Sequence, residues 1–191
     1  MKYLVAVLFA RERSVYHSIA VCDVYDRVRG ARTWSGGVPV VAHPPCAQWG
    51  SLRSFAHRVP EQLALAPWAI EQVRRYGGVV EHPGGSLLWR ELDLPAPGAG
   101  VDQCGGWTLG IEQREFGHRA RKRTLLYIVG CAPRDIPGLP LSLHYATHRV
   151  KTDSRSPVAT RRRHLELSAA GRQTTPAAMA RWLVALALGC R

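Results

Sequence analysis

A chain of 191 residues with 46% hydrophobic content has room for one packed core and is too short for two domains. Its 26 Lys and Arg outweigh 14 Asp and Glu to give a net charge of +12, which points to a polyanionic partner such as nucleic acid. Cys22, Cys46, Cys104, Cys131 and Cys190 are odd in number and form no CxxC pair, and no run approaches the about twenty apolar residues of a membrane span, which excludes a disulfide scaffold and a membrane protein and predicts reduced thiols in a cytoplasmic setting.

Tyr3 to Phe9 is a continuous apolar run of strand formers, the pattern of a strand buried on both faces of a parallel sheet. A second strand is expected before Asp23 or Asp26. Val38 to Ala42 and Val79 to Glu81 have the same buried character, and each is broken by a His-Pro pair, His43-Pro44 and His82-Pro83. Between them, Leu63, Ala66, Ile70 and Val73 recur at helical spacing, Pro67 starts or kinks the helix, and Gly77 stands at its C-terminal cap. Residues 91–106 read as a loop. Thr124 to Gly130 is another strand, led by the charged segment Arg119-Ala120-Arg121-Lys122-Arg123. Residues 131–173 form a basic connecting segment, and Ala177 to Leu188 is a helix with Pro176 at its start and Thr175 as candidate N-cap. The alternation of strand and helix predicts one α/β domain over residues 1–191, a Rossmann-like parallel sheet with flanking helices.

Ligand crevices in such sheets lie beyond the carboxyl ends of the strands, where both His-Pro segments fall. Pro44 and Pro45 stiffen the turn before Cys46 and present its thiol in a fixed direction, and a basic, partly exposed setting would lower its pKa. Glu81 ends an apolar strand, where a carboxylate is costly unless paired or used. Arg119, Arg121 and Arg123 alternate at period two, so an extended backbone points them to one face, expected to line the crevice. Trp49 and Phe55 are candidates for a base pocket or for the core. Gly84, Gly85 and Ser86 offer backbone donors to a phosphate.

Taken in order, these pieces resemble the DNA (cytosine-5)-methyltransferases. Pro44-Pro45-Cys46 with Ala47-Gln48-Trp49-Gly50 matches the family's Pro-Pro-Cys loop, Glu81-His82-Pro83 stands where it has Glu-Asn-Val, and Arg119 to Arg123 stand where it has Gln-x-Arg-x-Arg. Gly106-Trp107-Thr108, Phe116-Gly117 and the Thr175-Pro176 helix resemble further family elements. The resemblance implies a methyltransferase-type parallel sheet with no large target-recognition domain, and a transferase that acts on a flipped-out pyrimidine in DNA. Cys46 would add to ring carbon 6, Glu81 would hydrogen-bond at N3, and Arg121 and Arg123 would hold the base and its phosphate. His43, Pro45, Gln48, Trp49, His82 and Arg119 would line the substrate and DNA surface.

The resemblance also implies S-adenosylmethionine, with Phe9, Asp23 and Asp26 at its site. The family's Phe-x-Gly-x-Gly is replaced here by Phe9-Ala10-Arg11-Glu12-Arg13, without the glycines whose backbone freedom allows close approach to the methyl donor. An alternative of the same chemistry is a bacteriophage hypermodification enzyme that attaches an amine or amino acid to an activated 5-hydroxymethylpyrimidine. A non-catalytic DNA-binding protein is a second alternative. A thiol hydrolase pairing Cys46 with His43, His57 or His82 lacks a visible oxyanion hole, and Cys22, Cys46, His43 and His82 lack zinc-ligand spacing, so no metal is expected. Arg161, Arg162 and Arg163 are candidate phosphate contacts.

Overall fold

The computed structural model describes residues 3–50, 59–140, 146–149 and 165–190. Six strands form one sheet: β1 (Val5–Leu8), β2 (Cys22–Tyr25), β3 (Val40–Ala42), β4 (Gly78–Pro83), β5 (Trp107–Glu112) and β6 (Arg123–Val129), in the order β2-β1-β3-β4-β6-β5. The first four are parallel to one another, whereas β6 runs antiparallel to both β4 and β5, so the expected parallel sheet is mostly parallel with one reversed strand. β5 escapes a periodicity reading because Gly106 and Gly110 dilute its apolar residues.

Alternation along the strands divides the core. Val5, Val7, Val41, Val79, Leu126 and Ile128 face helix α5 (Ala177–Gly189) through Met179, Leu183 and Leu186. Ala6, Leu8, Val40, Ala42, Val80 and Tyr127 face helix α2 (Leu65–Tyr76) through Ala69, Ile70 and Val73. The result is a helix–sheet–helix Rossmann-like sandwich. Each buried Val, Leu, Ile or Met among them contributes about 1.5–3 kcal/mol relative to exposure, and each alanine less.

Two local stops set the strand ends. The helical stretch before β4 breaks at Ala64, separating α1 (Pro60–Leu63) from α2, with Pro67 in the first turn of α2. Gly77 caps α2 at φ 76°, and at Gly78, φ 117°, an added Cβ would lie 2.0 Å from the Val40 carbonyl oxygen, so β3 and β4 approach closely only because a glycine is there. At α5 the N-cap is Pro176 itself and not Thr175. Helix α3 (Leu88–Glu91), the pair β7 (His148–Arg149) and β8 (Leu165–Glu166), and α4 (Ala169–Gln173) complete the strands and α-helices among the described residues. No helix among the described residues is long and apolar enough to cross a membrane.

Candidate active site

The register of β3 and β4 builds the centre of the site. Ala42 pairs with Val80, so one residue further His43 and Glu81 leave adjacent parallel strands side by side on the α5 face, and His43 Nδ1 lies 3.1 Å from Glu81 Oε2. On its other side Glu81 Oε1 accepts from Gln113 Nε2 at 2.9 Å. Gln113 follows β5 directly and is fully buried, and the same Nε2 lies 3.0 Å from Thr124 Oγ1. His43 Nε2 meets the hydroxyl of Tyr16 at 2.8 Å, so a continuous hydrogen-bonded row runs Tyr16–His43–Glu81–Gln113–Thr124.

Protonation follows from this row. Burial drives the Tyr16 hydroxyl well above its ordinary range and the Glu81 charge drives it further, so Tyr16 keeps its proton and donates to His43 Nε2. His43 is thereby left with its proton on Nδ1, aimed at Glu81. Burial alone would raise the Glu81 pKa, but the His43 hydrogen bond, then the charges of Lys122 and of the two histidines, bring it down to about 2. Glu81 is therefore an ionised acceptor and not a proton donor. Replacing Tyr16 with Phe is expected to cost about 1–2 kcal/mol of stability, read as a lower urea midpoint at unchanged slope, because His43 loses its only donor at Nε2.

Cys46 sits three residues beyond His43 on the turn that follows β3, and the residue is exposed. Its carbonyl accepts from Trp49 N at 3.1 Å and Gly50 N at 2.8 Å, which closes the turn behind Pro44 and Pro45. The thiol is not lowered as expected. Neighbouring protein atoms desolvate it and the Glu81 carboxylate repels a thiolate, and both outweigh the opposing pull of Lys122. The turn is tied to the loop after β4, where the Trp49 carbonyl accepts from Leu87 N at 2.9 Å and Ser86 Oγ at 3.3 Å. Gly84 N donates to the Arg123 carbonyl and Ser86 N to that of Pro83, so these amides serve the loop and not a phosphate.

The remaining sequence candidates separate by strand parity. Glu81 pairs with Leu126, so even-numbered residues of β6 share its face, and continuation of that parity beyond the strand gives Lys122. Arg119, Arg121 and Arg123 fall on the opposite parity and are exposed, with Arg121 3.9 Å from Glu112. The arginine face therefore does not line the Glu81 site; Lys122 is the cation whose charge reaches both Glu81 and Cys46. Arg119 lines an open groove of about 370 Å³ with His118, His148, Ser168 and Thr174, a lining that includes neither Cys46 nor Glu81.

His82, next after Glu81, points to the other face, where it is 0% exposed against Trp89, and so it is no DNA contact. Trp49 is buried with Ala66 and Leu88, a core residue and not a base platform. Gln48 is half-buried and its Oε1 accepts from Val59 N at 3.4 Å. Pro45 is half-buried within the turn. His43, with Tyr16 and Glu81 on its two nitrogens, has neither left for DNA or for Cys46, so the Cys–His hydrolase pairing does not form through it. Phe55, His57 and Arg161 to Arg163 lie outside the described residues.

Comparisons with known families, curated proteins and solved structures give no match. Gln113, Lys122 and Tyr16 are the site residues that sequence reasoning missed. Gln113 is six residues upstream of the arginine run, and the signal that would have found it is a glutamine at the end of a strand adjacent to the reversed one.

The residues expected to hold S-adenosylmethionine do not fit that group. Phe9 takes the left-handed conformation, φ 62°, without glycine's freedom, and its ring packs edge-on against Trp68. Asp23 lies within β2 and pairs with Arg29 and the Tyr25 hydroxyl. Asp26 accepts from Val28 N at 2.9 Å and Arg29 N at 3.0 Å, a turn cap that holds it ionised. Replacing Asp26 with Ala is expected to lower stability by about 1 kcal/mol, as loss of a helix cap does, and a thermal melt measures it. Among the described residues no three His, Cys, Asp or Glu side chains gather as a metal site.

Proposed function

We propose that this chain modifies a pyrimidine base in DNA through a covalent bond between Cys46 and ring carbon 6, changing the substituent at carbon 5. The observation that carries the reading is an exposed cysteine on a proline-stiffened turn, within reach of the charge of a carboxylate on the neighbouring parallel strand. The net charge of +12 and the exposed arginines at 119, 121 and 123 supply the attraction for a phosphate backbone. Carbon 6 is unreachable inside a stacked duplex, so the base is taken single-stranded or flipped out.

The proposed chemistry begins as Cys46 loses its proton to water and adds to carbon 6, with Lys122 offsetting the charge that accumulates. Because the methyl-donor residues do not fit, the favoured branch is one in which the base itself carries a leaving group on a 5-methylene. Its expulsion leaves an exocyclic methylene, an amine or amino acid adds there, and release of Cys46 restores the ring. The test is mass spectrometry of nucleosides from ordinary DNA and from DNA with phosphorylated 5-hydroxymethylpyrimidines, given an amine donor or S-adenosylmethionine. A mass gain confined to the second DNA with amine supports this branch. A new 5-methylcytosine peak makes the chain a methyltransferase. No change in either DNA, with binding intact, favours a non-catalytic DNA-binding protein, a reading that draws on the raised Cys46 thiol.

A further inference from the structure

We propose that the base taken by this site is a 4-oxo pyrimidine of the uracil and thymine type, with N3–H and O4 at its edge, and not cytosine. The inference rests on the covalent reading above and concerns where electrons go once Cys46 has added. When the Sγ–C6 bond forms, the C5=C6 electron pair moves toward C4. In cytosine it is carried through C4 onto N3, which must be protonated as the charge arrives, so the side chain at N3 has to be a proton donor. In a 4-oxo ring the pair ends on O4 as an enolate and N3 keeps its proton. That ring needs an acceptor at N3 and a cation or donor for O4.

The geometry around Glu81 provides the second set. His43 Nδ1 stands at 3.1 Å from Oε2 and Gln113 Nε2 at 2.9 Å from Oε1, so each carboxylate oxygen already receives a hydrogen. The orientation of the Gln113 amide is fixed. Thr124 Oγ1 donates to the Lys122 carbonyl at 3.3 Å, which leaves its lone pair for Gln113 Nε2 and keeps the amide N–H₂ toward Glu81. His43 is fixed in the same sense by Tyr16. A proton on Glu81 would have to sit on an oxygen that is already an acceptor, and the remaining lone pairs are suited to receive N3–H. Lys122, whose charge bears on both Glu81 and Cys46, is the cation placed to take the O4 enolate. The depressed pKa of Glu81 agrees with this assignment.

When carbon 5 bears hydrogen the same step balances without a co-substrate. The enolate takes a solvent proton at C5, the original hydrogen is lost, and thiolate leaves C6. The experiment is therefore incubation in D2O of wild-type protein with single-stranded DNA copied from a random library with uracil in place of thymine. Both bases then sit on the same strands in every sequence context, and deuterium at C5 of deoxyuridine and deoxycytidine is read after digestion, with Cys46→Ser as blank. Exchange in deoxyuridine is expected to exceed that in deoxycytidine about tenfold or more, the worth of one hydrogen bond to a charged group. Equal or faster exchange in deoxycytidine overturns the base assignment and leaves the covalent chemistry standing. No exchange in either base removes the covalent reading and this inference with it. In Glu81→Gln, whose amide can present N–H to cytosine N3, the ratio is expected to narrow; an unchanged ratio would show that Glu81 does not discriminate.

Discussion

Cys46→Ser is expected to abolish base modification, with a loss on the order of 10³-fold or more, while the protein keeps its fold. The two halves of this expectation have separate physical grounds. A serine hydroxyl at the same place is a far weaker nucleophile toward carbon 6, and His43 is not free to act as its base, because both its nitrogens are taken by Tyr16 and Glu81. Stability should be within about 0.5 kcal/mol of wild type, since the residue is exposed and the turn is held by its backbone carbonyl and not its side chain. The raised thiol adds a kinetic signature: modification by the wild-type protein should quicken as pH rises toward the thiol's titration, and a thiol alkylation rate should follow the same curve. Modification that survives in Cys46→Ser would remove the covalent mechanism altogether.

How much of this site was legible follows from what a sequence pattern can encode. The strands that carry His43 and Glu81 were readable because buried parallel strands are continuous apolar runs; β3 stops before His43-Pro44 as expected, whereas β4 runs on through His82 and Pro83, paired with β6, where the sequence pattern placed a break. That Glu81 must be paired was readable from the cost of a carboxylate there. Its protonation state was not, since it depends on His43, Gln113 and Lys122, which lie 38, 32 and 41 positions away and meet it only through the register of three strands. The arginine alternation was recognised, but its parity was not. Periodicity fixes which residues share a face, whereas the pairing of Glu81 with Leu126 fixes which face that is. His82 was misplaced for a related reason: adjacency to Glu81 in the chain puts it on the opposite side of the sheet.

The second large effect arises from that misplaced histidine. Lowering the pH from 7 to 5 is expected to cost about 2 kcal/mol of stability through His82 alone. Its ring is 0% exposed and neither nitrogen has a hydrogen-bond partner of good geometry, although the Pro45 carbonyl stands close enough to favour the protonated form. Desolvation dominates, offset only in part by the Glu81 charge and by Pro45, and lowers the pKa from 6.5 to about 4. The unfolded chain therefore binds a proton that the folded chain refuses between these two values. The stabilisation is whole above 6.5 and is lost as pH falls toward 4. Glu81 continues the decline with the same sign, since its carboxyl stands at about 2 when folded and 4.5 otherwise, so its contribution is present above 4.5 and disappears below. Urea midpoints of wild type and His82→Leu at the two pH values separate the groups. The variant should lose most of the upper limb and keep the lower one, because leucine fills a similar volume against Trp89 without a titrating nitrogen. An upper limb of equal size in both proteins would assign it to another histidine. Because His82 packs beneath the Pro45 carbonyl, one residue from Cys46, the acid-labile point of the fold lies directly under the turn that presents the thiol, and activity should fall with the same midpoint as stability.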